Sequence, residues 1–218
     1  MPVTKTIFGD RVKCYKCYRP KSICLCDEVF LIDTKTKFII LMHPKEFKKV
    51  KNGTGHLTHL SLSNSKLFVG IDFTNHNEVN KIISTHDSYV LYPSDNALNL
   101  SNTKLSIKKD RNKAIFIIDS TWSCSVKILR DSKNLQSLTY LSFDNTKLSQ
   151  FKIKEQPAPY CLSTIESTLS VLELLNKQKI ENIDNENMIH FLNPFKKMID
   201  YQLKYVGSLS SSVRFKVN

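Results

Sequence analysis

Glycine and proline are scarce in this chain, at five and seven of 218 residues, and there is a single tryptophan. That composition excludes collagen-like and glycine-rich linker architectures. Long apolar runs are also missing. The longest are Phe38–Met42 and Ala114–Ile118, five residues each, whereas a membrane-spanning helix needs about 20. The opening residues MPVTKTIFGDRVKC carry no apolar stretch of the kind a secretory signal uses. The expectation is a cytoplasmic protein without membrane contact, whose thiols stay reduced. Several catalytic signatures are absent as well: no P-loop, no HExxH and no GxSxG elbow. Gly53-x-Gly55-x-x-Thr58 does not directly follow a strand pattern and is no dinucleotide fingerprint. Acidic residues are the minority charge, 20 against 32 Lys and Arg, which leaves a net charge of +12. A surplus of that size favours polyanionic partners such as nucleic acid.

What is present reads as globular. Hydrophobic residues make up 41% and charged residues 24%, enough for one large domain with a small appendage. Short apolar runs alternate with helical periodicity. Lys37–Met42, Lys66–Val69, Ser88–Tyr92, Lys113–Asp119 and Thr139–Phe143 read as strands. Residues 56–62, Asn77–Thr85, 120–131, Ser163–Lys177 and 185–205, the last interrupted by Pro194, read as helices. In the helix over 120–131 the spacing predicts a buried face of Trp122, Val126 and Leu129. Residues 45–55 and 94–112 read as irregular. The alternation implies an α/β fold with a mostly parallel sheet and helices on both faces.

Four cysteines, Cys14-x2-Cys17-x6-Cys24-x-Cys26, crowd into 13 residues. Zinc takes four tetrahedral ligands, and a loop this compact can wrap one ion. Two disulfides or unrelated buried thiols are the alternatives, and a reducing compartment disfavours the first. The pattern predicts a small zinc-binding N-terminal module over residues 1–30, ahead of a domain over 31–218.

Three polar motifs directly follow predicted strands: His43-Pro44-Lys45-Glu46, Pro93-Ser94-Asp95 after Tyr92, and Asp119-Ser120-Thr121-Trp122. In a parallel sheet the carboxyl ends share one edge, where ligands bind. Each motif also has a plain structural use, as a strand terminator or a helix cap. Ser163-Thr164-Ile165-Glu166 has the form of a capping box, and a helix start also offers amides to an anionic group. Lysines cluster at 45–51, 104–113 and 147–154, which suits phosphate contact.

Together these motifs resemble the DTW-domain tRNA-uridine aminocarboxypropyltransferases. The residues that carry the resemblance are Cys14–Cys26, the HPxE segment with Asn52-Gly53-Thr54-Gly55-His56-Leu57, Leu91-Tyr92-Pro93-Ser94, Ile118-Asp119-Ser120-Thr121-Trp122, and Gln156-Pro157 leading to Leu162-Ser163-Thr164-Ile165-Glu166. The resemblance implies a SPOUT-like fold with a knotted cofactor site and S-adenosylmethionine as donor. It also implies transfer of the 3-amino-3-carboxypropyl group to N3 of a tRNA uridine, with release of methylthioadenosine.

On this reading Asp119 is the candidate general base. Tyr92, Pro93, Ser120, Thr121, Trp122, Leu162, Ser163 and Thr164 are the donor-binding candidates. His43, Lys48, Lys49, Lys51 and Lys154 are the RNA-binding candidates, and Cys14, Cys17, Cys24 and Cys26 hold the zinc. Lys154 stands where the family tends to have Arg, so the charge is kept and the planar fork is lost. Two competing functions use the same composition. One is a SPOUT-like S-adenosylmethionine-dependent RNA methyltransferase; the other is a non-enzymatic zinc-containing RNA-binding protein.

Overall fold

The computed structural model describes residues 12–48, 52–107, 110–151, 153 and 161–208, with side chains to 204. Six strands form one sheet: β1 (Lys37–Met42), β2 (Ser65–Val69), β3 (Asp87–Leu91), β4 (Leu98–Asn99), β5 (Lys113–Asp119) and β6 (Thr139–Ser142). Their order is β2-β1-β5-β3-β6-β4, and every pairing is parallel. The helices are α1 (Pro44–Phe47), α2 (Thr54–Leu60), α3 (Asn77–Thr85), α4 (Trp122–Asp131), α5 (Lys133–Gln136), α6 (Thr164–Lys177), α7 (Asn185–His190) and α8 (Asn193–Ser208).

The continuous apolar runs of β1 and β5 are explained by burial on both faces. Side chains alternate along a strand, so each run feeds two cores. Phe38, Ile115 and Ile117 pack with Leu57 of α2, Ile165, Val171 and Leu172 of α6, and Phe195 of α8. Ile39, Leu41, Ala114 and Phe116 pack with Val79 and Ile82 of α3, Ile128 and Leu129 of α4, and Leu135 of α5. Phe116 is fully buried, and truncation of such a side chain to Ala costs about 3–5 kcal/mol.

The structure departs from the expected elements in three places. Residues 45–55 are not wholly irregular, because His43 caps the short helix α1 and Pro44 occupies its first turn, where the missing amide costs nothing. Residues 94–112 contain β4, a two-residue strand too short to leave a periodic signal. On α4 the buried residues are Ser125, Ile128 and Leu129, whereas Trp122 and Val126 are exposed. Of the three residues in that apolar spacing only Leu129 packs in the core, and the buried face is turned toward Ser125 and Ile128. The helical stretch over 185–205 is interrupted as expected, at residues 191–192, and Pro194 sits in the first turn of α8 that follows.

One feature of the topology positions the site. β6 lies between β3 and β4, which follow one another in the chain. Leu91 and Leu98 both align with Leu141. Residues 92–97 therefore straddle the carboxyl end of β6, with the Tyr92 amide donating to Leu141 O at 3.0 Å. Among the described residues no helix is long and apolar enough to cross a membrane.

Candidate active site and cysteine cluster

Because the strands are parallel, β1, β3, β5 and β6 all deliver their carboxyl ends to one edge. A cleft of about 760 Å³ opens there, within the range that takes a small-molecule ligand. Tyr92, Pro93, Asp119, Ser120, Thr121, Trp122, Leu162, Ser163 and Thr164 all line it. Three segments far apart in the sequence thus share one cavity.

Asp119 sits at the end of the central strand, opposite Met42 of β1. Its side chain is buried, and Thr164 Oγ1 donates to its Oδ1 at 2.6 Å. Its carbonyl accepts from the His43 amide at 3.0 Å. A Cβ on Gly55 would lie 2.4 Å from Asp119 Oδ2 and 2.9 Å from Met42 Cε. The segment that starts α2 therefore approaches the carboxylate as closely as a backbone can. Gly55→Ala is expected to displace Asp119 and to cost about 1–3 kcal/mol through overpacking. Thermal melting and single-turnover assays on the same variant check both effects.

The start of α6 is fixed by a carboxylate clasp. Ser163 and Glu166 form the reciprocal capping box, and the buried Glu166 also accepts from Ser149 Oγ at 2.9 Å and the Gln150 amide at 2.6 Å. The two ends of the stretch 150–163 are thereby tied to one side chain.

Other expected residues are placed differently. His43 is buried, and its Nδ1 accepts from the Lys45 amide at 3.1 Å. It lies inside the protein as the α1 cap rather than on the surface, where an RNA contact was expected. Lys48 is exposed just after α1. Lys49, Lys51 and Lys154 lie outside the described residues, as do Gln156 and Pro157. Several cleft residues had not been singled out as site residues: Glu46, Asn52, Thr54 and the segment Ser142–Asn145. The signal for the last was available, since Phe143-Asp144-Asn145 is a fourth polar motif directly after a strand.

The four cysteine sulfurs lie within 4.8 Å of one another. Cys14 and Cys26 Sγ are 3.6 Å apart, and Cys17 and Cys24 Sγ are 3.7 Å apart. A disulfide needs about 2.05 Å, so the four are free thiols. Four sulfurs at about 2.3 Å from a tetrahedral zinc are about 3.8 Å from each other, which the observed pairs fit. Backbone amides of Cys17 and Lys16 hold the Cys14 thiol down to about 6, which favours the ligating thiolate. Burial, with the neighbouring sulfurs, pushes Cys26 up.

The cysteine loop is docked on the domain. Tyr18 adopts a left-handed φ of 58°, a conformation that costs a non-glycine residue roughly 1–2 kcal/mol. Its ring packs on Phe47 and His56. Arg19, almost wholly buried, reaches Gly53 O at 3.5 Å and Met198 Sδ at 3.4 Å. Leu25 joins the core.

His56, beneath this loop, is buried, and burial with the nearby Arg19 charge lowers its pKa to about 4. The unfolded chain binds that proton near pH 6.5. Stability is therefore expected to fall as pH drops from about 6.5 toward 4. A His56→Phe variant is expected to show a flatter slope over that window in urea melts.

The profile of the DTW domain matches residues 11–203. The chain belongs to the DTW-domain family. The match includes all four cysteines as well as the cleft, so the cysteine cluster lies within the DTW domain. Similar proteins are tRNA-uridine aminocarboxypropyltransferase 2 of Macaca fascicularis, 28% identical over 93% of this chain and 67% of the relative, and its namesake in Mus musculus, 27% identical over 94% and 68%. The protein of the same name in Drosophila melanogaster is 29% identical over 77% of this chain and 68% of its own length. No solved structure matches the chain.

Proposed function

We propose that this DTW protein is a tRNA-uridine aminocarboxypropyltransferase with S-adenosylmethionine as donor and uridine N3 as acceptor. The observation that carries the reading is the cleft in which Asp119, hydrogen-bonded to Thr164, meets the strand ends and the start of α6. The names of the relatives and the charge of +12 support a tRNA substrate. The straddling segment 92–97 supports a threaded, SPOUT-like donor site, with Tyr92 and Pro93 on the strap itself.

In the reaction, uridine N3 gives its proton to the Asp119 carboxylate as the N3–Cγ bond forms. The Cγ–S bond breaks, its electron pair stays on sulfur, and neutral methylthioadenosine leaves. Thr164 orients the carboxylate through its hydroxyl. The first-turn amides of α6 that the Ser163–Glu166 cap does not use, those of Thr164 and Ile165, suit the donor's carboxylate. Holding that carboxylate fixes which carbon beside the sulfonium faces the base, and such orientation is itself a large part of the rate. Ser120, Thr121 and Leu162 complete the donor wall.

We assign zinc to the four cysteines as a structural ion. Residues 1–30 are read as the zinc-binding module and 31–218 as the catalytic domain. Four thiolate ligands would complete a tetrahedral zinc and leave no open position for chemistry. The ion's contribution is to hold Tyr18 and Arg19 against α2, and so to brace the segment that presses Gly55 on Asp119.

The deciding experiment incubates the protein with tRNA and donor labelled on the carboxyl carbon. Label in RNA marks aminocarboxypropyl transfer. Methylated RNA with the label left in solution would mean a methyltransferase, and no modification would mean a binding protein. Lys48, Lys49 and Lys51 are proposed to contact RNA phosphates. Replacing all three with Ala is expected to weaken tRNA binding and to reduce the slope of log K against log salt by roughly two. Binding isotherms at several salt concentrations check this.

A further inference from the structure

Trp122 opens the helix that follows the catalytic carboxylate, yet it is 44% exposed. The core on that side is filled by Ser125, Ile128 and Leu129, so the indole is not needed for packing. It is nevertheless held in place. Tyr140 packs on Tyr92 at 6.3 Å between ring centroids, and Tyr92 packs on Trp122 at 6.0 Å. This aromatic row climbs from the sheet to the mouth of the cleft, with Tyr92 and Trp122 in its lining. Beyond Trp122, the exposed residues of α4 are Ser123, Val126, Lys127 and Arg130. Positions 122, 126 and 130 follow one another along a single stripe of the helix. The helix has one acid, Asp131, and it pairs with Arg130 at 2.9 Å.

A small ligand enclosed by a cleft loses most of its surface to the protein. Trp122 lines the cleft yet leaves nearly half of its surface open to solution, so a base arriving from solution can reach its ring. RNA reading works by stacking unpaired bases on such rings. The exposed side of α4 beyond Trp122 also carries Lys127 and Arg130, cations of the kind that contact the phosphates flanking a stacked base.

We propose that Trp122 is the stacking platform for the acceptor pyrimidine, with Tyr92 fixing its orientation and the exposed Lys127 and Arg130 of α4 meeting the adjacent backbone. The inference rests on the RNA-modifying reading above and takes Trp122 out of the donor-binding set. It assigns the indole to the acceptor, the chemical class being an unpaired base in a single-stranded RNA loop.

Trp122 is the sole tryptophan, so its fluorescence, excited where tyrosine does not absorb, reports on this ring alone. The full chain is titrated without donor, using a short oligouridylate and an abasic oligomer with the same number of phosphates. The oligouridylate is expected to quench emission saturably, and the abasic oligomer is not. In a separate anisotropy measurement Trp122→Ala is expected to bind oligouridylate about five- to a hundredfold more weakly, with Trp122→Phe retaining most of the affinity.

Equal quenching by the abasic oligomer would overturn the proposal. So would full quenching by methylthioadenosine alone, with Trp122→Ala losing donor affinity but not RNA affinity. The two readings fail separately. Quenching by oligouridylate without label transfer to tRNA leaves the platform standing and removes the transferase. Transfer by Trp122→Ala with an unchanged KM for tRNA does the reverse.

Discussion

Asp119→Asn is expected to slow aminocarboxypropyl transfer about a hundred- to ten-thousandfold, the usual worth of a positioned general base, while leaving donor affinity within a few-fold of wild type. The substitution is nearly isosteric. The Asn Oδ1 still accepts from Thr164, whose hydroxyl lies 2.6 Å from the native oxygen, and Gly55 still finds the space it needs. The negative charge is lost, and with it proton acceptance. The pH profile separates this from a merely structural effect. At alkaline pH the uridine sheds its own N3 proton, so the variant's rate climbs where the wild-type rate has levelled. Single-turnover rates across pH, with calorimetry for donor binding, measure both quantities. Wild-type turnover in a variant that still binds donor would remove Asp119 from the chemistry.

Cys17→Ser is the second change with a large expected effect. Cys17 is fully buried and belongs to a four-sulfur set. Serine at neutral pH offers no thiolate, so the ion is lost with one ligand. Structural zinc supplies folding energy directly, about 10–16 kcal/mol in isolated zinc-finger peptides. Here the cysteine loop is an appendage to a larger core, and part of that energy is local to it. Losing even a few kcal/mol in a chain of this length lowers Tm by about 10 °C. Without the ion the left-handed turn at Tyr18 and the docking of Arg19 on Gly53 are left to weak contacts. A chelator is expected to bring the wild-type melting curve to that of Cys17→Ser and to leave the variant unchanged. A wild-type protein whose Tm ignores the chelator, and matches that of the variant, would dismiss the metal.

The two predictions differ in how the sequence announced them. The cysteine spacing announced a cluster without any fold, because four thiols in 13 residues have few ways to avoid one another. The strands were legible for a similar reason. KFIILM and KAIFIID are apolar at every position but the ends, which in a strand means burial on both faces. Asp119 drew notice as a carboxylate at the end of such a strand.

Trp122 shows where periodicity fails. Its spacing with Val126 and Leu129 reads as a core stripe, yet a helix beside a cleft carries apolar side chains on two faces. One packs on the sheet, and the other lines the cavity. Hydrophobic spacing cannot tell them apart. β4 was invisible for another reason: a two-residue strand is a product of its neighbour β6, not of its own sequence.

From its residues alone this chain determined a parallel α/β sheet, a four-cysteine cluster and a polar edge fed by several strands. These follow from local pattern, namely alternation, spacing and the chemistry of adjacent side chains. Tertiary structure decided that Asp119, Thr164 and Tyr92 share one cleft, that Gly55 leaves no room for a methyl group beside the carboxylate, and that His43 turns inward while Trp122 faces out. Those outcomes depend on strand order and on how α2, α4 and α6 cross the sheet. They are set by contacts between residues tens of positions apart, for which a linear pattern carries no term.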